Sequence, residues 1–516
     1  MTAELTLSPN EQIDPNPNRF GEPDVPQQSG GSVQYEAVIG LEVHCQLLTN
    51  SKIFAADTNA FGAEPNTNIS VITLAHPGTL PKLNRKAIEY AVRMGLACNS
   101  EITRHNIFAR KNYFYPDLPK GYQLSQDKGP ICVGGGVAVT AKDPETGQPY
   151  QTTIQLHHIH LEEDAGKSIH DGSDWTTQLD YNRAGTPLIE MVTEPCLRTA
   201  DEAGQYLTEV RRLVRYLGIC DGNMEEGSLR CDVNVSIRPK GATHLGTKVE
   251  VKNLNSIRNV MRAVDSEFRR QVELTESGGR IIQETRTFDA ATGRSQSMRE
   301  KETMNDYRYF PDPDLTPVVI SDAWLADIKA DMPMLPAERY QKFITSYGLP
   351  EYDAAFLTDA KELADYYESV CEQTANYKAV SNWIMGPVKG QLNEKALRDR
   401  QFPVSATQLA ALITLIENNT ISQTAAQQVF ALLVDQPDAL PIDLATTHGL
   451  LQNRNTDALQ TLVEDVLAAW PDKVELYRKG KKNLLGMFVG EVMKKSKGSA
   501  DPKLVNQLVT KQLEAK

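Results

Sequence analysis

A membrane-spanning helix is missing from this 516-residue sequence: no apolar run approaches the ~18 residues one needs, which excludes a helical membrane protein. Positive charge is in deficit. Lys and Arg number 54 against 67 Asp and Glu, a net charge of −13, which argues against a chain that coats nucleic acid indiscriminately and leaves room for a local basic face. Cysteine is sparse: Cys45, Cys98, Cys132, Cys196, Cys220, Cys231 and Cys371 form no CxxC and no even framework, which predicts reduced thiols. The N-terminus has neither the basic start and apolar core of a signal peptide nor the Arg-rich amphipathicity of a transit peptide, so the expected compartment is the cytoplasm.

Familiar catalytic motifs are missing too. Ala165-Gly-Lys-Ser168 resembles the end of a phosphate-binding loop, but the earlier glycine of GxxxxGK[ST] falls at Leu161. Gly134-Gly-Gly136 lacks the third glycine of GxGxxG, because Val139 stands there. Without a GxSxG elbow or a cysteine visibly paired with a base, a covalent hydrolase is disfavoured. His157-His-Ile-His160 is a weak zinc candidate, since neighbours on a strand face opposite ways; a surface or satisfied histidine is the expectation.

What is present is an ordinary globular balance, 40% hydrophobic and 23% charged, in a chain long enough for two to four domains. Residues 1–34, rich in Pro, Asn, Gln and Gly, are expected to form a disordered leader. Order starts at Tyr35, where alternation predicts a strand with Glu36, Glu42, His44 and Gln46 on one face. Short β-like runs (Val137–Thr140, Thr152–His157, Val233–Ile237, Lys248–Val251) then alternate with helices predicted over Asn84–Leu96, Thr199–Leu217 and Ile257–Thr275. Thr199 and Glu202 have the spacing of a capping box. This mixture predicts an α+β catalytic domain over 35–320. After Pro317 the texture turns helical, with segments Asp322–Lys329, Pro336–Tyr347, Asp359–Val380 and Val404–Ile416. These give an all-α domain over 321–403 and an all-α tail over 404–516, divided near Pro403.

Chemistry concentrates in five polar clusters of the first domain: Glu42-Val-His44, His160–Asp164, Asp180–Glu190, Asn223–Asp232 and Glu250–Asn255. Any one alone reads as a solvated loop or an ordinary ion pair. Several carboxylates on neighbouring strands repel unless a cation lies between them, and oxygen ligands with an occasional imidazole suit Mg²⁺. Lys111, Arg183, Arg230 and Lys252 are the cations placed to clamp phosphoryl oxygens, and each has a plain ion-pair reading beside the catalytic one.

The strings Ile39-Gly-Leu-Glu-Val-His44, Phe61–Asn66, Ala75–Pro81, Lys111-Asn-Tyr-Phe-Tyr-Pro-Asp117, Gly121–Gln126, His160–Lys167, Asp180–Glu190 and Asp306–Leu315 occur in order. Through them the chain resembles the GatB family, the B subunits of the aspartyl/glutamyl-tRNA(Asn/Gln) amidotransferase, from Tyr35 essentially to the C-terminus. The resemblance implies a cradle-shaped domain related to the glutamine synthetase and guanidino-kinase fold, a helical domain and a YqeY-like tail. It implies an ATP-dependent ligase that phosphorylates the side-chain carboxylate of Glu-tRNA(Gln) or Asp-tRNA(Asn) and amidates it with ammonia from the glutaminase partner GatA, in a heterotrimer with GatC. A non-catalytic tRNA-binding scaffold and a stand-alone glutamine-synthetase-like ligase are the alternatives.

By the same resemblance, Mg²⁺ is assigned to Glu42, His44, Glu163 and Glu190, with Glu162, Asp164 and Glu250 as alternates, and nucleotide contacts to Glu42, Glu226, Ser228 and Asn253. Many relatives carry paired cysteines around the segments that read Phe54-Ala-Ala-Asp57 and Ser70-Val-Ile-Thr73 here. With none present, no structural zinc is expected, and packing and hydrogen bonds are expected to substitute. The tail's Arg478-Lys-Gly-Lys-Lys482, with Lys494, Lys495 and Lys497, is the expected tRNA grip.

Overall fold

The computed structural model describes residues 33–515 except 171–174, 301–306, 394–395, 398–399, 453–455 and 497–499. Most of the expected leader therefore lies outside the described residues, as does Lys497.

In the first domain the strands used below are β1 (Tyr35–Gln46), β2 (Glu101–Ile102), β3 (Ala109–Asn112), β4 (Tyr122–Ser125), β5 (Cys132–Val133), β6 (Gly136–Lys142) and β7 (Pro149–Glu163). They continue with β8 (Pro187–Thr193), β9 (Leu229–Pro239), β10 (Val249–Lys252), β11 (Glu284–Asp289), β12 (Arg294–Glu300) and β13 (Phe310–Pro311). Ten of them make one sheet in the order β12-β11-β10-β9-β1-β8-β7-β5-β2, with β6 added to β7. Its pairings are antiparallel apart from the parallel pair β10–β11, so the sheet is mixed as expected.

β1 lies in the middle and sets the logic of the fold. Ile39, Leu41, Val43 and Cys45 are almost fully buried, while Gly40, Glu42, His44 and Gln46 alternate with them on the other face. The apolar face is covered by α1 (Arg85–Ala97), α2 (Ala200–Tyr216) and α3 (Ile257–Glu276), which share one core with it. Each fully buried Val or Leu there contributes about 1.5–3 kcal/mol relative to exposure. The predicted capping box closes α2: Thr199 Oγ1 accepts from the Glu202 N–H, and the Glu202 carboxylate accepts from the Thr199 N–H. With all three helices on one side, the polar face is left open for chemistry.

From Asp322 onward the named elements are helices, and their cores divide differently from the expected boundaries. Helix Asp322–Ala330 packs Leu325 and Ile328 into the first core. A second core runs from Phe343 to Ala445 and takes in Val404, Leu409 and Ile413, so Pro403 lies inside it. The Tyr366 hydroxyl even donates to the Val404 carbonyl at 2.9 Å. A third core, Leu459 to Leu513, is the tail proper. The helix expected over Asp359–Val380 is two, Lys361–Cys371 and Tyr377–Trp383, because Asn376 caps a new start by accepting from the Ala379 N–H.

Candidate active site

Register across the open face decides which polar groups meet. His44 lies opposite Glu190 on β8 and Arg230 on β9, and Glu190 lies opposite His160 on β7. His44 Nε2 is 3.3 Å from Glu190 and 3.9 Å from Glu162, and His160 Nε2 is 3.4 and 3.5 Å from the same two carboxylates. His44, Glu162 and Glu190 each offer a ligand atom, all within 4.8 Å of one another. One step along the sheet, Glu42, Asp232 and Glu250 form a second such group. There Asn234 donates to Glu42 at 2.9 Å, Lys252 Nζ is 2.6 Å from Asp232, and Thr285 donates to Glu250 at 2.8 Å.

These groups change one another's acidity. Burial acts to lower the basicity of His44, but the charges of Glu190, Glu162 and Asp232 overcome it and push the imidazole up to about 9. Burial acts to raise the Glu190 carboxyl, yet His44, His160 and Lys111 hold it well below the usual carboxylate range. The imidazolium thus supplies positive charge among the acids, and a divalent cation is the other way to supply it.

Within the acidic strip His160–Asp164, the structure places Glu163 and its alternates Glu162 and Asp164 in different surroundings. Glu162 shares the open face with His160; Glu163 does not, because successive residues of β7 alternate. The Glu163 carboxylate is buried, where it pairs with Lys120 and accepts from the Leu124 N–H at 2.9 Å. Asp164, past the strand end, accepts from Arg230 and from Gln46, each at 2.8 Å. Burial resists its ionisation, but Arg230 and Arg183 hold its carboxyl below the usual range.

The expected cations fall into two kinds. Lys111 lies beside the acid row: burial acts to lower its amine, while Glu162 and Glu190 raise it, so it stays charged. Lys252 bridges the second acid group, 2.6 Å from Asp232 and 3.6 Å from Glu250. Arg230 and Arg183 converge on Asp164, and Arg183 also donates to the carbonyls of Ala165 at 2.9 Å and Gly166 at 2.6 Å. Three expected nucleotide contacts have local partners. Ser228 donates to Asp221 within its own turn, and Glu226 is exposed on that turn with its N–H given to Asn223. Asn253, at φ 67°, donates to the Phe288 carbonyl. His160, expected to be a satisfied or surface histidine, is satisfied by the acids themselves. Even-numbered parity through His158, His160 and Glu162, against apolar Ile159 and Leu161, was the signal that placed it.

The segments that lack paired cysteines meet through oxygen. Asp57 Oδ2 accepts from Ser70 Oγ at 3.0 Å and from Thr73 Oγ1, and Ser70 Oγ in turn accepts from the Ile72 N–H.

A mixed sheet with helices on one face and acid clusters flanked by Lys and Arg on the other is the architecture of a catalytic domain for charged substrates. A family model described as the GatB/GatE catalytic domain matches residues 37–326, and one described as the GatB domain matches residues 365–513. The B subunit of aspartyl/glutamyl-tRNA(Asn/Gln) amidotransferase from Trichlorobacter lovleyi is 50% identical over 93% of this chain and 100% of its own length. Its counterparts from Chlorobium luteolum and Burkholderia cenocepacia are 49% and 48% identical, again over 93% and 100%. The chain belongs to the GatB family of amidotransferase subunits.

Proposed function

We propose that this protein uses ATP to activate the side-chain carboxylate of Glu-tRNA(Gln), Asp-tRNA(Asn) or both, and hands it to ammonia. The observation that carries the reading is the pair of acid groups on one open sheet face, with Lys111 and Lys252 beside them. A carboxylate is a poor acyl donor because its leaving group would be oxide. Attack of a carboxylate oxygen on the γ-phosphorus releases ADP and gives an acyl phosphate. Ammonia then attacks the carbonyl carbon, phosphate departs, and the amide remains.

His44, Glu162 and Glu190, and one step away Glu42, Asp232 and Glu250, are the oxygen-rich donor sets that suit Mg²⁺. When bound, Mg²⁺ supplies charge neutralisation at phosphate oxygens. Of the chain's own groups, Lys111 and Lys252 offer positive charge to phosphoryl oxygens, and Arg230 with Arg183 fixes the Asp164 corner. That the relatives are named as one subunit of a larger amidotransferase supports assembly with a GatA-type glutaminase and a GatC-type third component, in the cytoplasm where aminoacyl-tRNA is used. The Asp57–Ser70–Thr73 hydrogen bonds support an oxygen-bonded loop that holds without zinc.

The test is reconstitution. The complex with the glutaminase and the third component, given mischarged tRNA, ATP, Mg²⁺ and glutamine, should form amidated aminoacyl-tRNA and ADP. A scaffold would bind tRNA with no ATP consumption by this chain, and a stand-alone ligase would amidate free glutamate. Either result overturns the reading.

A further inference from the structure

Beside the acid row lies a set of aromatic rings that the activation chemistry does not use. Tyr115, Tyr113, Tyr307 and Tyr309 form an unbroken chain of edge contacts, with centroids 5.9, 6.2 and 6.1 Å apart. The chain is assembled from two distant parts of the sequence. β13 pairs with β3, and Asn112 donates to the carbonyls of Tyr307 at 3.2 Å and Arg308 at 2.9 Å. Its inner end is cationic and reaches the site, for Lys111 Nζ lies 5.1 Å from the Tyr307 ring centroid and 6.0 Å from that of Tyr113. Its outer end reaches the surface: Tyr115 is 53% exposed and neighbouring Phe114 is 90% exposed.

Phe114 is nevertheless supported. Its ring lies over Gly121, at φ +69°, where an added Cβ would come within 3.0 Å of it. Large aromatic rings shown to solvent in a group, not singly, mark a binding surface. Rings interleaved with cations suit the faces of unpaired bases, which stack on them whatever their sequence.

We infer that Tyr113, Phe114, Tyr115 and Tyr307 form a stacking platform for the unpaired 3′ nucleotides of the charged tRNA, leading the aminoacyl end to Lys111 and the acid row. The inference rests on the function proposed above. It commits to the tRNA strand as occupant because the ring chain is continuous with the site where the aminoacyl group must arrive. ATP's adenine and the surface of a partner protein are the occupants it rejects.

The test uses the whole complex carrying Phe114→Ala with Tyr115→Ala, exposed positions whose loss spares the core. KM for mischarged tRNA should rise at least about fivefold, the low end for losing one stacked base, with KM for ATP and the melting temperature unchanged. Phe114→Tyr with Tyr115→Phe, which keeps both rings, should restore the tRNA KM, and leucine at both positions should not. Binding gives a readout independent of turnover: wild type should prefer intact tRNA over tRNA trimmed of its unpaired 3′ nucleotides, and the double alanine variant should lose that preference. An unchanged tRNA KM, a raised ATP KM, or failure to assemble with the glutaminase at unchanged tRNA affinity each overturns the platform. If wild type shows the 3′-end preference but forms no amidated product, the activation reading fails and the platform stands.

Discussion

Glu162 and Glu163 are neighbours in sequence with opposite expected roles, which makes their amide variants a sharp test. Glu163 is 3% exposed, pairs with Lys120, and accepts from the Leu124 N–H. In Glu163→Gln the amide oxygen can still accept from Leu124, but the Lys120 ammonium loses its carboxylate. Removing one partner of a buried pair costs about 3–5 kcal/mol. With the amide retaining part of the hydrogen bonding, the low end applies, and about 3 kcal/mol lowers the melting temperature of a domain this large by about 6–12 °C. Glu162, in contrast, lies 3.5 Å from His160 and 3.9 Å from His44, so Glu162→Gln removes charge from a donor set whose histidines still face Glu190. Its amidation rate should fall by no less than the ~10–100-fold that outer-shell partners of a metal cost, with little change in melting. Calorimetry and Mg²⁺-dependent amidation on both variants decide the matter. A Glu163→Gln protein that melts normally but needs far more Mg²⁺, beside a Glu162→Gln protein with the reverse behaviour, would refute the assignment of faces.

Other expectations follow from single groups. Lys52, 1% exposed with Nζ 3.3 Å from the Tyr181 carbonyl, is pushed down to about 8 by burial, against the pull of Asp57, Asp180 and Glu163. The unfolded chain therefore holds this proton up to about pH 10.5 while the folded one releases it from about 8, so stability should rise with pH across that window relative to Lys52→Met. Urea titrations of both proteins at pH 7 and 10 should show the gap move in that direction, and a constant gap would refute it. Asp57→Ala leaves the hydroxyls of Ser70 and Thr73 without their shared acceptor, at a cost of about 1–3 kcal/mol. The wild type's melting should not respond to a zinc-selective chelator. Truncation after Gln452 removes the third core but leaves the second, so it should weaken tRNA binding and flatten its salt dependence while assembly survives. Cutting after Pro403 should unfold the second core, which a proteolysis comparison of the two truncations would reveal.

Much of this architecture was legible wherever the signal is local. The alternation of β1 put Glu42, His44 and Gln46 on one face, and the box at Thr199 and Glu202 started α2 where expected. The same parity, counted from His158 onward, past the irregularity that breaks the register after Leu156, separates Glu162 from Glu163, because Ile159 and Leu161 belong to the core and carry Glu163 to their side. Three consecutive acids look equivalent only when the strand is not continued through them. What was not legible depends on partners far away in sequence. Asp232 faces Glu42 through the β1–β9 register, and Glu250 joins them through the opposition of Asn234 and Glu250 across β9 and β10. No spacing rule links positions 42, 232 and 250.

The same division between local and distant information explains the boundary at Pro403. Proline reports on its own backbone, and here it precedes a helix capped by Ser405, whose Oγ accepts from the Gln408 N–H. Whether that helix belongs to the preceding or the following core is decided by what Val404, Leu409 and Ile413 bury against, and they share a core with Tyr366 and Tyr367, some 40 positions back. A turn signal therefore locates a break in secondary structure, and core membership locates a break between domains. The tail's basic groups show the same limit. Arg478 donates to the carbonyls of Leu513 and Ala515, Lys482 lies 3.8 Å from Glu514, and Lys479 pairs with Glu475. Part of the positive run at 478–482 thus fastens the end of the last helix, so if the tail grips tRNA, the contact is expected to fall more heavily on Lys494 and Lys495 in the final turn of helix Leu485–Lys495. Charge reversal at those two lysines should reduce the salt dependence of tRNA binding more than reversal at Lys479 and Lys482, and equal effects would return the grip to the whole run.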